Sequence, residues 1–161
     1  MNASRTTRRR RTGFTLVEMS VSLAIGSICI AGMLSLYITY LRSFNTTTLM
    51  YQSGRRASLA LERMVYGIST NPGLREAQVD SVVGTNWATG WSLKYNTNYW
   101  FAYSSTAQII TNETRKVLCT NVAASTLTLY TNSCIISVTV VEKGGGDTWT
   151  NTMSTLVEFR N

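Results

Sequence analysis

The chain has no histidine and a single proline among its 161 residues. Without histidine, catalytic triads that need an imidazole base and zinc sites that need an imidazole ligand are excluded. A Cys-x-x-Cys pair is absent, as are a phosphate loop and a dinucleotide-type glycine fingerprint. Serines are plentiful, and Lys94, Lys116 and Lys143 are present, yet no pattern positions a serine–lysine pair. The composition points away from an enzyme, and no catalytic residue, metal ligand set or cofactor is expected. Charge is also scarce, at 14% of residues, and one long stretch has almost none.

Positive charge is the component in excess, with 15 Lys/Arg against 8 Asp/Glu. Arg5, Arg8, Arg9, Arg10 and Arg11 all precede Gly13. From Phe14 onward, 10 basic residues face 8 acidic ones. The net charge of +7 therefore describes a basic leader rather than a basic binding face. An RNA-binding arm is the competing reading, and the run that follows the arginines argues against it. Phe14 to Leu41 spans 28 residues with Glu18 as the only charge. As a helix it measures ~42 Å, enough to cross a ~30 Å hydrocarbon layer with tilt. The arginines predict a cytoplasmic N-terminus and a C-terminal domain across the membrane. The remaining hundred or so residues suffice for one small globular domain. An ordinary secretory signal has an apolar core of ~7–15 residues followed by a small-residue cleavage site. Here the core is twice that length, and the small residue Gly13 lies ahead of it.

The stretch Arg8-Arg9-Arg10-Arg11-Thr12-Gly13-Phe14-Thr15-Leu16-Val17-Glu18, followed by an apolar helix, resembles the class III signal of type IV pilins and pseudopilins. The resemblance covers roughly the first 40 residues. It implies cleavage between Gly13 and Phe14 by a prepilin peptidase, and N-methylation of the new Phe14 amine. It also implies other pilin or pseudopilin subunits, an inner-membrane assembly platform and membrane lipid as partners. No nucleic acid is expected. The matched residues imply an inner-membrane, single-pass chain with a periplasmic C-terminal domain, later part of a periplasmic or cell-surface filament.

Glu18 fits this reading on physical grounds. A lone carboxylate in a membrane helix costs about 2.5–3.5 kcal/mol on insertion scales. It lies about one turn from Phe14. After a cut at Gly13, Phe14 carries a cationic amine, and Glu18 can pair with it in the same or a neighbouring subunit. Pairing between subunits would also set the stagger between helices. Snorkelling to the headgroup zone is the competing role. Pilin helices often carry a proline further along; here the run has none, and Gly26 and Gly32 are the candidate weak points.

The helix is expected to continue past Leu41. Asn45-Thr46-Thr47-Thr48 is a poor helix-forming stretch, expected to bend or fray. Beyond it, Met50, Ala57, Leu61, Met64 and Ile68 form an amphipathic stripe that packs on a sheet. Asn71-Pro72-Gly73 is expected to end the helix. From Val79 the pattern reads as β. Strands are expected at Val79–Val83, Gly90–Tyr95, Tyr99–Tyr103, Lys116–Thr120, Thr126–Tyr130, Ile135–Glu142 and Thr155–Arg160. The fold class is α+β and pilin-like: a long N-terminal helix packed on a C-terminal antiparallel β-sheet. The organisation reads as a cleaved leader at 1–13, a membrane and filament-core helix at 14–41, an amphipathic continuation at 42–71, and a β headpiece at 72–161.

Three clusters remain. Cys119 and Cys134 lie in the exported part, and a disulfide there would close a loop of about 15 residues for ~3 kcal/mol in the chain-entropy model; two free, buried cysteines are the alternative. Cys29 reads as a packing residue within the apolar run. Trp87, Trp91, Tyr95, Tyr99, Trp100, Phe101 and Tyr103 crowd into 17 residues. They read mainly as sheet core and subunit contact, with Trp87, Trp91 and Trp100 as a candidate ligand surface. Asp147, with Thr148 and Asn151, could offer oxygens to calcium. With one acidic side chain nearby, a glycine-rich hairpin turn is the favoured reading. The sequence thus reads as a structural filament subunit, a minor pilin or pseudopilin. Its rivals are a filament-tip binding module, either an adhesin or a DNA-uptake subunit, and an anchored domain unrelated to filaments.

Overall fold

The computed structural model describes residues 13–68 and 71–160. The leader arginines and their expected removal lie outside the described residues. The chain divides at Arg42 and Ser43 into two units. A single helix, α1 (Leu16–Tyr66), runs through both.

In the first unit α1 is apolar on every side, and its large side chains, from Leu16 through Leu41, are exposed. A helix that is hydrophobic all round requires lipid or protein around it. Three of its hydroxyls are satisfied within the helix. Ser20 donates to the Val17 carbonyl at 2.9 Å, Ser27 to Ala24 at 2.8 Å and Thr39 to Ser35 at 2.9 Å. No such hydroxyl needs a partner in hydrocarbon, where unmet polar groups cost several kcal/mol. This stretch is long and apolar enough to cross a membrane.

In the second unit the same helix becomes one-sided, burying Leu49, Ser53, Ala57, Ala60, Leu61 and Met64. Met50, expected on the buried stripe, is exposed, and Leu49 takes its place. The expected fraying at Asn45–Thr48 does not occur. Thr47 and Thr48 donate to the carbonyls of Ser43 and Phe44, each at 2.9 Å. Leu49 packs against Gly144, and Thr46 reaches Asp147 at 3.5 Å. These tertiary contacts outweigh the weak local propensity. The helix also stops before Asn71-Pro72-Gly73. Gly67, at φ +82°, ends it in the left-handed conformation that glycine tolerates. Ile68, expected on the helical stripe, belongs instead to β1 (Gly67–Ile68), which pairs with β2 (Asn71–Pro72).

The remaining strands form two antiparallel sheets. The larger has the sequential order β3 (Val83–Trp87), β4 (Gly90–Tyr95), β5 (Tyr99–Ser104), β6 (Ile109–Asn112) and β7 (Val117–Cys119). The smaller has β9 (Ser133–Gly144) between β8 (Val122–Leu129) and β10 (Asp147–Glu158). β9 alternates strictly, burying Cys134, Ile136, Val138, Val140 and Glu142. One core joins Cys134, Ile136, Val138 and Val140 to Ala57, Ala60, Leu61 and Met64 of α1, and to Trp91, Leu93, Tyr95, Phe101 and Tyr103. The architecture is α+β and pilin-like, a long N-terminal apolar helix packed against antiparallel β-structure.

Four strand expectations change. β8 begins at Val122, four residues before the expected Thr126. β10 begins eight residues before Thr155, because Gly145 and Gly146 (φ +59° and +89°) turn the chain back on itself immediately after β9. β6 was not expected. The segment Val79–Val83 opens as a 3-10 turn, Val79–Ser81, rather than a strand. Its backbone is diverted by Asn96, whose side-chain oxygen accepts from Gln78 N at 3.0 Å and from the Ser81 hydroxyl at 2.9 Å.

Candidate processing and assembly site

Gly13, Phe14 and Thr15 precede the helix and are exposed. Among the described residues nothing lies within 4 Å of where a Cβ on Gly13 would sit. Thr15 is the residue before the first helical position, and Glu18 is the third within. Thr15 donates to Glu18 Oε2 through its backbone N–H and its hydroxyl, each at 2.9 Å. Glu18 N donates back to Thr15 Oγ1 at 3.3 Å. This is a reciprocal capping box, which satisfies amide donors that a helix start leaves unpaired. Its sequence signature is Thr15-x-x-Glu18. The carboxylate thus has a local task, and the positive end of the helix dipole also favours it. Oε1 meets no group among the described residues.

The family described as the prokaryotic N-terminal methylation motif matches residues 8–34. The chain carries a type IV pilin-like class III signal peptide. The match covers the arginine run of the leader, the Gly13–Phe14 junction, Glu18 and most of the apolar run. No curated protein and no solved structure matches the chain. The class III signal indicates a structural subunit rather than an enzyme. It implies prepilin peptidase processing, assembly with other pilins and membrane anchoring.

The other expected sites are redistributed by the fold. Cys119 and Cys134 are both buried and free; the expected bridge is not formed. Cys119 Sγ lies 3.9 Å from the Arg56 carbonyl, at the Arg56–Glu142 ion pair. Cys134 stands eight residues before Glu142 on the same strand, ~26 Å away at ~3.3 Å per residue. A disulfide needs Cα atoms within ~7 Å. Burial pushes both thiols up to about 11; at Cys119 the nearby Arg56 partly opposes that effect.

The three tryptophans do not form one surface. Trp91 is 2% exposed, and its indole N–H donates to Ser125 Oγ at 3.1 Å. Ser125 in turn donates to the Ser137 carbonyl at 2.8 Å, which ties the larger sheet to the smaller. Trp91 is therefore core, not ligand surface. Trp87 and Trp100 lie on the opposite face of their sheet, at pairing rows four residues apart, ~13 Å along the strands. Tyr95, Phe101 and Tyr103 are buried too. Tyr95 donates to the Pro72 carbonyl at 2.8 Å, and burial raises its phenol above the usual range.

At the tip of the β9–β10 hairpin, Asp147 accepts from Thr46 Oγ1 at 3.5 Å. Asn151 points elsewhere, with Nδ2 3.0 Å from where a Cβ on Gly54 would sit. Among the described residues no three Asp, Glu or Cys gather as a metal site.

Among the described residues one buried carboxylate has a charged partner. Glu142, with a side chain 8% exposed, lies 2.7 Å from Arg56 Nη1. The contact is electrostatic, since the two are not aligned as a hydrogen bond. Asn121 Nδ2 adds a 3.4 Å bond to the other carboxylate oxygen. This pair pins α1 to β9 and was not anticipated from the sequence, because nothing local marks Glu142 as different from the exposed Glu158.

Proposed function

We propose that the chain is a minor pilin or pseudopilin, anchored by one membrane pass with its β unit in the periplasm. Prepilin peptidase cuts after Gly13, and the chain is then drawn into a filament by the inner-membrane assembly platform. The observation that carries this reading is the conjunction of the class III signal with a helix apolar on every side and a single acid in its first turn. In a filament, the exposed faces of that helix are covered by its neighbours. The capping box holds Oε2 of Glu18 at the helix start and leaves Oε1 directed to an incoming cation. The Phe14 amine of a neighbouring subunit supplies that cation.

The test is the N-terminal mass of the mature protein, together with incorporation of Glu18→Ala into filaments. The expected mass starts at a methylated Phe14, and Glu18→Ala is expected to be processed but excluded. A leader that stays attached where the peptidase is active overturns the reading; normal assembly of Glu18→Ala removes the pairing role.

A filament-tip adhesin is the second reading, and what supports it is narrower than expected. Of the aromatic cluster, Trp87 remains open, at 47% exposure, with Trp100 half-buried. Glycan binding lost in Trp100→Ala would favour it.

A further inference from the structure

We propose that the free edge of β10 is a docking site for one extended strand of a partner polypeptide other than this chain, uncharged over five or six residues and flanked by basic ones. The edges in this unit are treated differently. β7 has three residues, and its Cys119 lies against the helix at Arg56. β8 faces the larger sheet, where Asn86 Nδ2 donates to the Leu127 carbonyl at 3.4 Å. Among the described residues β10, twelve residues long, pairs only with β9 and keeps an unbroken register from Asp147 to Glu158.

The two-residue turn at Gly145-Gly146 fixes which backbone groups are free. In such a hairpin the closing pair, Gly144 and Asp147, exchanges hydrogen bonds, and bonded pairs then alternate. Trp149, Asn151, Met153 and Thr155 therefore bond to β9. Thr148, Thr150, Thr152, Ser154 and Leu156 direct their N–H and C=O groups outward. Only past Glu158 is the edge covered, where Arg160 N donates to Ala77 O at 2.9 Å and Val79 N to Arg160 O at 3.2 Å.

Natural edge strands are guarded by lysine, proline, a bulge or short length. β10 has none of these guards, and no charge between Asp147 and Glu158. Such an edge is either covered by a partner or prone to aggregate. Beside it runs a groove of about 1260 Å³, walled by β10 from Met153 onward and by Ser58, Glu62, Val65 and Tyr66 of α1. A strand of five or six residues is ~17–20 Å long and lies along such a wall. Only an extended peptide supplies backbone donors and acceptors at the matching repeat.

Charge narrows the occupant. Asp147 and Glu158 close the two ends of the edge, and Glu62 and Glu76 stand at the groove. Two arginines also line the groove, Arg75, which is stacked over Tyr66 at 5.8 Å, and Arg160, so its acids exceed its bases by one. Antiparallel pairing of β10 with a second β10 over its full length sets Asp147 of each copy next to Glu158 of the other, at both ends. Basic flanks on a different strand meet the same acids favourably. The inference does not require filament assembly, since an unprocessed, unassembled chain has the same edge.

The test places a photo-crosslinking amino acid singly at positions 150, 152, 154 and 156 of the full-length chain in cells that produce it. Adducts are expected within one segment of one partner, advancing by two residues for each two-residue step. Adducts to this chain itself, adducts scattered over many proteins, or none at all overturn the proposal. Thr152→Pro removes an outward N–H and is expected to lower the position-154 adduct at least tenfold, whereas Thr152→Val keeps it; equal yields overturn it. Should Thr152→Pro fail to fold, amide exchange of the unaltered chain decides. Thr150, Thr152 and Ser154 are expected to be protected at least tenfold in native membranes of the producing cells relative to the isolated chain in detergent. Unchanged exchange overturns the proposal.

Discussion

Glu18 and Thr15 hold each other at the start of α1, with Glu18 Oε2 accepting from both the Thr15 amide and its hydroxyl at 2.9 Å. The acid therefore has two separable properties, its reach back to the amide and its charge. Glu18→Gln keeps the reach, since glutamine also completes a capping box. Thr15→Ala keeps the charge and removes the cap, at a cost of about 1 kcal/mol in helix-end stability. Amide exchange at Leu16–Glu18 is expected to quicken about fivefold in Thr15→Ala and to change little in Glu18→Gln. Filament incorporation is expected to fail in Glu18→Gln. Incorporation that follows the exchange rates instead would make the cap, not the charge, decisive.

Arg56→Ala leaves Glu142 buried with only Asn121 as a partner. Breaking a buried pair from one side typically costs about 3–5 kcal/mol. Arg56 is itself 44% exposed, so the low end, about 3 kcal/mol, is expected. Denaturant unfolding measures it. Arg56→Met combined with Glu142→Leu is expected to recover most of the loss, because no charge is then stranded.

Burial holds the Cys119 and Cys134 thiols protonated up to about 11, against an ordinary 9. A raised folded-state value means that this contribution to stability is intact below about pH 9. It is lost as pH rises through about 11, where the unfolded chain has already released its thiol protons. The thermal midpoint is expected to fall across that window, and less steeply in Cys134→Ala. At pH 8 both thiols are expected to resist alkylation in the folded chain and to react on unfolding.

Trp91→Phe removes the donor to Ser125 and some core volume, and about 1–2 kcal/mol of destabilisation is expected. Trp91→Ala is expected to cost about 3–5 kcal/mol. Trp87→Ala, on the open face, is expected to stay within about 1 kcal/mol. Unfolding curves for the three variants check the order, and equal losses at Trp87 and Trp91 would contradict the placement of the core.

Legibility along the chain follows the range of the forces involved. The signal, the apolar run and Glu18 were readable because cleavage specificity and membrane length are properties of contiguous residues. β4 was read at its true bounds, since its alternation of Trp91, Leu93 and Tyr95 is local. The helix end at Gly67 and the early start of β10 were misplaced by several residues. In both places glycines at positive φ turn the chain, and the sequence did not say which of several glycines would. The bridge expected between Cys119 and Cys134 rests on their place in the exported part, and the length of β9 keeps Cys134 away from Cys119 at Arg56.

By itself the sequence determined that an arginine leader precedes a rod apolar on all sides with one acid near its start, because charge, hydropathy and motif are written residue by residue. Only the tertiary structure decided which tryptophan is core, which glutamate is paired and which strand edge stays open. Each of these depends on neighbours brought together by sheet pairing and helix packing, and residues far apart in sequence carry no local sign of meeting.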